Sequence, residues 1–321
     1  QGEMDMRSWL RVPATLPGYP QITALALPDR DAAAGTPGPA QQARQLQHLA
    51  RRARSPYVLV HPAAVAPPPG WLSAALELLD ATPALACVSA GGDGREPRPT
   101  LCLEPGAMLA RRSALLHSGG LAPRLQGQGD GLDLAWRLWA MGHRVIGLGS
   151  APPGSPLPAV RPPCSVYQAT WSWLQILVRN CEEQVLGMAL AVAVLRLLGA
   201  AGEAAEAGAV TCRPASLQAT SGAVPAIAGI TTLRRNPAAR QEPYHRVGRD
   251  AGELLVACHD TALLLPLAFD ERRQVQARRR VGDAEIAAVL GRHPLEIVEE
   301  QMGALRRAAQ QAGQPSGGGE R

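Results

Sequence analysis

SPYVLVHPAAVAPPPGWLSAALELLDATPALACVS, residues 55–89, holds a strand, a turn, a helix and a second strand in one run. Tyr57 to Val60 is a continuous apolar stretch of β-formers and predicts a buried strand. Pro62 and the run Pro67-Pro68-Pro69 cannot donate ladder hydrogen bonds, so the strand has to end there, with His61 at its last turn. From Trp71 to Asp80 the apolar residues return at helical spacing, and Leu85 to Ser89 predicts the next strand. A strand, helix and strand of these lengths make one unit of an α/β layer.

Outward from this unit the alternation continues. Ile22 to Leu27 predicts a strand, Asp29 to Pro39 a loop, and Ala40 to Arg54 a helix with Ala43, Leu46, Leu49 and Ala53 on one face, stopped by Ser55-Pro56. Downstream, Gly91 to Pro99 is a polar loop and Leu101 to Leu103 is expected to resume the sheet. Gly106 to Leu116 predicts a short apolar strand and helix, Gly119-Gly120 a turn, and Leu132 to Met141 a helix closed by Gly142. The expectation is an α/β layer around a mostly parallel sheet. SAPPGSPLPAVRPP, residues 150–163, is a proline-rich connector, and a domain boundary is expected near Val160. Behind it come helices over Val166–Ala200, an irregular connection over Gly202–Arg249, and helices over Ala251–Leu267 and Asp270–Leu290. The expected units are 1–160, a helical extension 161–293, and a short helix with a disordered tail 294–321. The apolar run Val185–Leu195, bracketed by Glu182, Glu183 and Arg196, falls short of the roughly 20 residues that span a bilayer, and reads as a buried or interfacial helix.

Composition narrows the function classes. The chain has 321 residues, 46% of them hydrophobic, enough to fill a sizeable core, with only 3% aromatic. Its net charge is +5, yet every basic residue is Arg, and abundant Ala, Gly and Pro accompany them. That pattern reflects codon usage in GC-rich coding sequence, and no basic run with interleaved aromatics suggests nucleic-acid binding. The 6 Cys are scattered without a CxxC pair, which argues against a zinc site or disulfide framework and fits reduced thiols in a cytoplasmic protein. QGEMDMRSWL lacks a charged start followed by an apolar stretch, so no secretory signal is expected, and the missing initiator Met suggests a truncated start.

Two further stretches stand out beside residues 55–89. PGAMLARRSALLHSGGLAPRL, residues 105–125, carries Gly106, an Arg111-Arg112 helix start and the Gly119-Gly120 turn. GDGLDLAWRLWAMGHRVIGLGSA, residues 129–151, carries Asp130, Asp133, Trp136, Arg137, Gly142 and His143. Together with Pro69-Gly70-Trp71-Leu72 and the tail FDERRQVQARRRVGDAEI, residues 269–286, these resemble, in order, the later motifs of family-two glycosyltransferases of the rhamnosyl- and galactofuranosyl-transferring kind. The resemblance covers roughly Ile22 to Leu290. It implies a GT-A-like mixed sheet flanked by helices, with a C-terminal helical region behind it. It also implies a nucleotide-sugar donor, a lipid-linked glycan acceptor, polysaccharide assembly at the inner face of the plasma membrane, and a Mg or Mn ion.

The register of that resemblance puts Pro62 and Ala64 at the two metal-binding Asp positions, and neither side chain can ligate a metal. The family's acidic pair reads Asp130-Gly131, which leaves Asp130 as candidate base, with Asp133 as an alternative or as a helix cap. Asp29 and Asp31 stand where a base- or ribose-side acidic loop is expected, or cap their loop. Arg111 and Arg112 face a phosphate or simply open a helix, while Gly106 and Trp136 fall on the donor and acceptor side. Residues Met4 to Pro20 are too few for the family's first strand, so the uracil or thymine pocket is incomplete and a partner chain or second copy is expected to complete the sheet. Gly127, Gly129 and Gly131 suit an acceptor loop, and Cys258-His259-Asp260 on one helix cannot form a triad. Arg272, Arg273 and Arg278 to Arg280 give a basic face, either solvated or set against anionic headgroups. Two readings follow: a non-catalytic or partner-dependent glycosyltransferase-like subunit, which the residues favour, and a metal-independent inverting transferase.

Overall fold

The computed structural model describes residues 14–16, 18–27, 39–62, 70–90, 96–101, 103, 107–125, 129–149, 165–211 and 243–312. The α/β part runs β1 (Ala14–Leu16), β2 (Tyr19–Leu27), α1 (Pro39–Arg52), β3 (Tyr57–Pro62), α2 (Trp71–Ala81), β4 (Leu85–Ser89), β5 (Arg98–Pro99), β6 (Met108–Arg111), α3 (Arg112–His117), a 3-10 turn (Pro123–Leu125), α4 (Asp130–Ala140) and β7 (Arg144–Gly147). The helical part is α5 (Val166–Asn180), α6 (Glu183–Thr211), α7 (Pro243–Gln276), α8 (Asp283–Leu290) and α9 (Pro294–Ala312).

The 7-stranded sheet has the order β1-β2-β3-β6-β4-β7-β5. Only β2 with β3 and β4 with β7 pair in parallel. β6 lies antiparallel between β3 and β4, pairing Leu59 with Leu109 and Val88 with Leu109, so the sheet is mixed rather than mostly parallel. An apolar run carries no sign of its direction, which is why Met108–Arg111 reads from sequence like any other strand of the layer. Neither Leu101 nor Leu103 lies in a strand. Leu101 and Leu103 are buried in the core, and the sheet edge is the exposed pair Arg98–Pro99 instead.

Strand alternation sends side chains to two faces. Ile22, Tyr57, Leu59, Leu85, Val88 and Leu109 meet Trp71, Ala75, Leu76 and Leu79 of α2. On the other face Leu25, Val58, Val60, Cys87 and Ala110 meet α1, α3 and α4, and the same cluster continues without a break into α5, α6 and α9. Pro69-Gly70-Trp71-Leu72 has a physical reason at this point. Gly70 takes φ 75 at the entry of α2, a left-handed conformation that glycine adopts without strain, and Trp71 is thereby turned under the sheet at 3% exposure.

The helical extension differs from its expected division. Residues Val166 onward form two helices, and the second runs on to Thr211. The expected gap at Leu267–Asp270 does not exist, because α7 continues through Pro266 and Phe269 to Gln276 and the chain turns only at 277–282. A proline costs a helix one hydrogen bond, and here the packing of α7 along α5 outweighs that local signal. The expected boundary near Val160, the connector and the tail 313–321 lie outside the described residues.

The basic face is divided: Arg273, Arg278 and Arg280 are exposed, whereas Arg272 and Arg279 turn into the protein. Arg272 is 3% exposed and donates to the carbonyls of Val178 and Cys181, with Glu183 as its ion partner. Arg279 donates to the Asn180 carbonyl and to Asp283, and Arg278 to the His117 carbonyl. These guanidinium groups satisfy the open carbonyls at the C-terminus of α5 and pin the turn after α7 to the α/β body. Trp136 belongs to the same joint. Its Nε1 donates to Asp283 Oδ1 at 2.9 Å, and Asp283 Oδ2 accepts the Glu182 backbone N–H at 2.8 Å. Trp136→Phe removes one hydrogen bond to a buried carboxylate, and urea unfolding is expected to show a loss of about 1.5–3 kcal/mol.

Candidate functional site

Two of the side chains singled out in residues 129–151, Asp133 and Arg137, meet at one buried point. Asp133 and Arg137 sit one turn apart on α4, each with 0% exposure. Arg137 Nε reaches Asp133 Oδ2 at 3.0 Å and its Nη2 the same oxygen at 2.5 Å. Arg179 adds a contact at 3.3 Å and Asn180 Nδ2 donates to Oδ1 at 2.8 Å, both from the end of α5. Arg137 spends its remaining donors on the carbonyls of Ser118 and Gly120. Gly119 and Gly120 take φ 84 and 68, so the Gly-Gly turn curls its carbonyls toward that guanidinium. The second and third sequence stretches are therefore joined by one ionic knot.

Burial alone would push the Asp133 carboxyl up, but Arg137, Arg179 and the Asn180 amide outweigh it and hold the carboxyl below its usual value. A carboxylate with a depressed folded pKa stabilises the fold above its unfolded value, near 3.9, and loses that contribution as pH falls through the lower folded value. A thermal-unfolding series is expected to be flat above about pH 5 in this contribution and to decline below about pH 4. Asp133 neither caps the helix nor meets solvent, so it has no route to an acceptor hydroxyl.

Asp130 opens α4 behind Gly129 and lies outside this knot, although its charge is felt by Arg137. The entrance to α4 is closed by its neighbours. A Cβ on Gly129 would stand 2.7 Å from Ile176 Cδ1 and 3.2 Å from Met302 Sδ. A Cβ on Gly131 would stand 2.2 Å from the Leu103 carbonyl oxygen. At the place of the family's second acid, then, the backbone packs so closely that no side chain fits.

Arg111 is not free to face a phosphate. Its Nε donates to the Leu85 carbonyl at 2.7 Å, its Nη2 to the Leu79 carbonyl, and its Cζ lies 5.6 Å over the Tyr57 ring. It closes the C-terminus of α2. Tyr57 in turn donates to Asp80, and burial followed by that bond raises its pKa. Arg112 is half-buried at the start of α3, its backbone N–H donating to the Pro56 carbonyl.

The described part of β3 carries no acidic side chain. Pro62 pairs with Leu27 in the sheet and has no ligating atom, and among the described residues no three His, Cys, Asp or Glu side chains converge as a metal site. Asp29, Asp31, Ala64, Gly106 and Gly127 lie outside the described residues. Cys258, His259 and Asp260 form no triad: Asp260 Oδ2 accepts from Tyr167 Oη at 2.7 Å, and His259 is exposed. Burial pushes the Cys87 thiol up and Cys181 to about 12, so neither is a nucleophile. Sequence reasoning missed Arg137, Arg179 and Asn180 as the partners of Asp133. The i,i+4 spacing of Asp133 and Arg137 was the available signal.

No family model and no curated protein matches the chain. Among solved structures, the mannosyltransferase PcManGT from Pyrobaculum calidifontis, in complex with GDP-Man and Mn2+, superposes with a TM-score of 0.35 and 19% identity, over 68% of this chain and 66% of that one. A superposition of that kind assigns neither fold family nor activity, and nothing below rests on it.

Proposed function

We propose that this chain is a glycosyltransferase-like protein on a GT-A-type sheet that transfers no sugar by itself. It serves polysaccharide assembly as a non-catalytic subunit, or as one that needs a partner chain to complete a site for a nucleotide-sugar. The reading draws on the ordered motifs of residues 55–89, 105–125 and 129–151. The mixed sheet, with antiparallel β6 set between two parallel pairs, accords with it.

One observation carries the non-catalytic half: the acidic positions serve the fold. Asp133 is locked between Arg137, Arg179 and Asn180, and Gly131 rests against the Leu103 carbonyl where a second acid would stand. An inverting transfer needs a carboxylate within reach of the acceptor hydroxyl, and a group buried in a dry core with both oxygens bonded to the protein does not provide one. The motifs that survive are those that pack the fold.

The test is release of nucleoside diphosphate from UDP-, dTDP- and GDP-sugars by the purified chain, with and without manganese. We expect no release above the protein-free rate. Turnover by the chain alone would overturn the reading. Asp130, outside the ionic knot in the first turn of α4, specifies the second reading, a metal-independent inverting transferase with Asp130 as base. Turnover that persists in EDTA and disappears in Asp130→Asn would establish it.

A further inference from the structure

The apolar side chains left uncovered by this fold are concentrated on two helices. All exposed large hydrophobic residues among those described, Val289 excepted, lie on α6 or α7, including Met188, Leu195, Leu198, Leu263, Leu264 and Phe269. The apolar segments are Glu183–Gly202 and Ala251–Gln276, of which only 17% and 22% is buried in the protein. At 1.5 Å per residue the first is about 30 Å long, the thickness of a bilayer's hydrocarbon core. The run Val185–Leu195 expected from sequence is thus the start of a longer apolar segment. Arg196, within it, is paired to Glu299 of α9.

How these helices attach to the body decides what can cover them. α7 is held flat along α5: the Tyr167 backbone N–H donates to Glu253, Tyr167 Oη to Asp260, and Arg272 to the Val178 carbonyl. These contacts extend from residue 253 to residue 272, about 29 Å of helix. α5 is itself buried against α4 and its ionic knot. If α7 crossed a bilayer, α5 and the charges behind it would be carried into hydrocarbon. The apolar side of the pair instead faces away from the body along its length.

A second protein chain would meet a narrow apolar seam with a polar rim. α6 lacks that rim. Met188, Val192 and Leu195 form one stripe, Val194 and Leu198 a second beside it, and Gly187, Ala191 and Gly199 fill the space between. Its inner face is the separate row Leu186, Ala193 and Leu197, turned to the core. A helix whose outward positions are apolar over most of its length, broken by Arg196, and which lies beside a second helix with exposed Leu263, Leu264 and Phe269, fits a fluid apolar medium better than a fixed partner surface.

We propose that the outer face of the α6–α7 pair is a membrane-docking surface, lying in the plane of one leaflet with lipid hydrocarbon as its occupant and the α/β body on the same side. The inference is independent of the sugar chemistry proposed above. It also places the membrane contact on apolar side chains rather than on the Arg272–Arg280 segment, where Arg272 and Arg279 are engaged within the protein.

The test is flotation of the full chain with phosphatidylcholine vesicles. The chain is expected to float with uncharged vesicles and to stay bound in 1 M NaCl. Leu195→Glu combined with Leu263→Glu is expected to lower partitioning at least a hundredfold. These side chains are 68% and 65% exposed, so an unchanged near-ultraviolet circular dichroism spectrum verifies that the fold is kept. Trypsin added outside sealed vesicles is expected to cut within 212–242 without detergent, as an in-plane pair requires. Protection of that segment until detergent is added would mean a spanning hairpin and overturn the proposal. So would release by salt, which marks headgroup binding, or a stable dimer in solution that ignores vesicles, which marks a second copy as the occupant.

Discussion

Asp133→Ala is expected to destabilise the protein by about 3–5 kcal/mol, the usual cost of removing one partner from a buried ion pair. The loss comes from what remains. Arg137, with 0% exposure, keeps its charge and its bonds to Ser118 and Gly120 but loses both contacts to Asp133, while Arg179 and Asn180 lose theirs. Urea unfolding followed by tryptophan fluorescence reads the effect. Asp130→Asn is the contrast: Arg137 keeps both contacts to Asp133, so the loss is expected to be smaller than for Asp133→Ala. A general base would give the opposite pattern, with Asp133→Ala stable and silent in an activity assay.

Gly131→Asp, which restores the family's acidic pair on paper, is expected to damage the fold instead of creating a site. A Cβ there would be 2.2 Å from the Leu103 carbonyl oxygen, so either α4 or the backbone at Leu103 has to move. Overpacking of that kind costs about 1–3 kcal/mol, and the added carboxylate would face a carbonyl that cannot donate to it. Gly131→Ala separates the two contributions, since it carries the steric part alone. A Gly131→Asp protein as stable as the wild type would show that Leu103 yields easily and that the second acid was lost for another reason.

Much of the α/β body was legible because its signals are local. Tyr57 to Val60, the helix from Trp71, and Leu85 to Ser89 are set by periodicity and by proline and glycine at their ends, and the structure places them within a residue or two. The direction of β6 and the placement of β5 were not legible, because strand order depends on contacts between distant segments. The expected break between Leu267 and Asp270 failed too, because α7 packs along α5 as one continuous helix from Pro243 to Gln276.

The candidate site was legible only in outline. Asp130, Asp133, Arg111 and Trp136 stood out as chemical groups, yet three of them turn out to hold elements together. Beyond Arg137 on the same helix, their partners are the backbone carbonyls of Leu79 and Leu85, or side chains from α5 and α8 that lie far along the chain. Charged residues in a motif do not announce whether they serve substrate or fold. Only the count of engaged lone pairs and donors separates the two roles.

Calorimetric titration of the purified chain with uridine, thymidine and guanosine diphosphates, with and without manganese, tests the central claim most directly. If the acidic positions serve the fold and Pro62 and Ala64 replace the metal ligands, manganese will not strengthen binding of any of the three. Micromolar binding that tightens with manganese would contradict the account, because it would require a complete metal-and-diphosphate site on this chain.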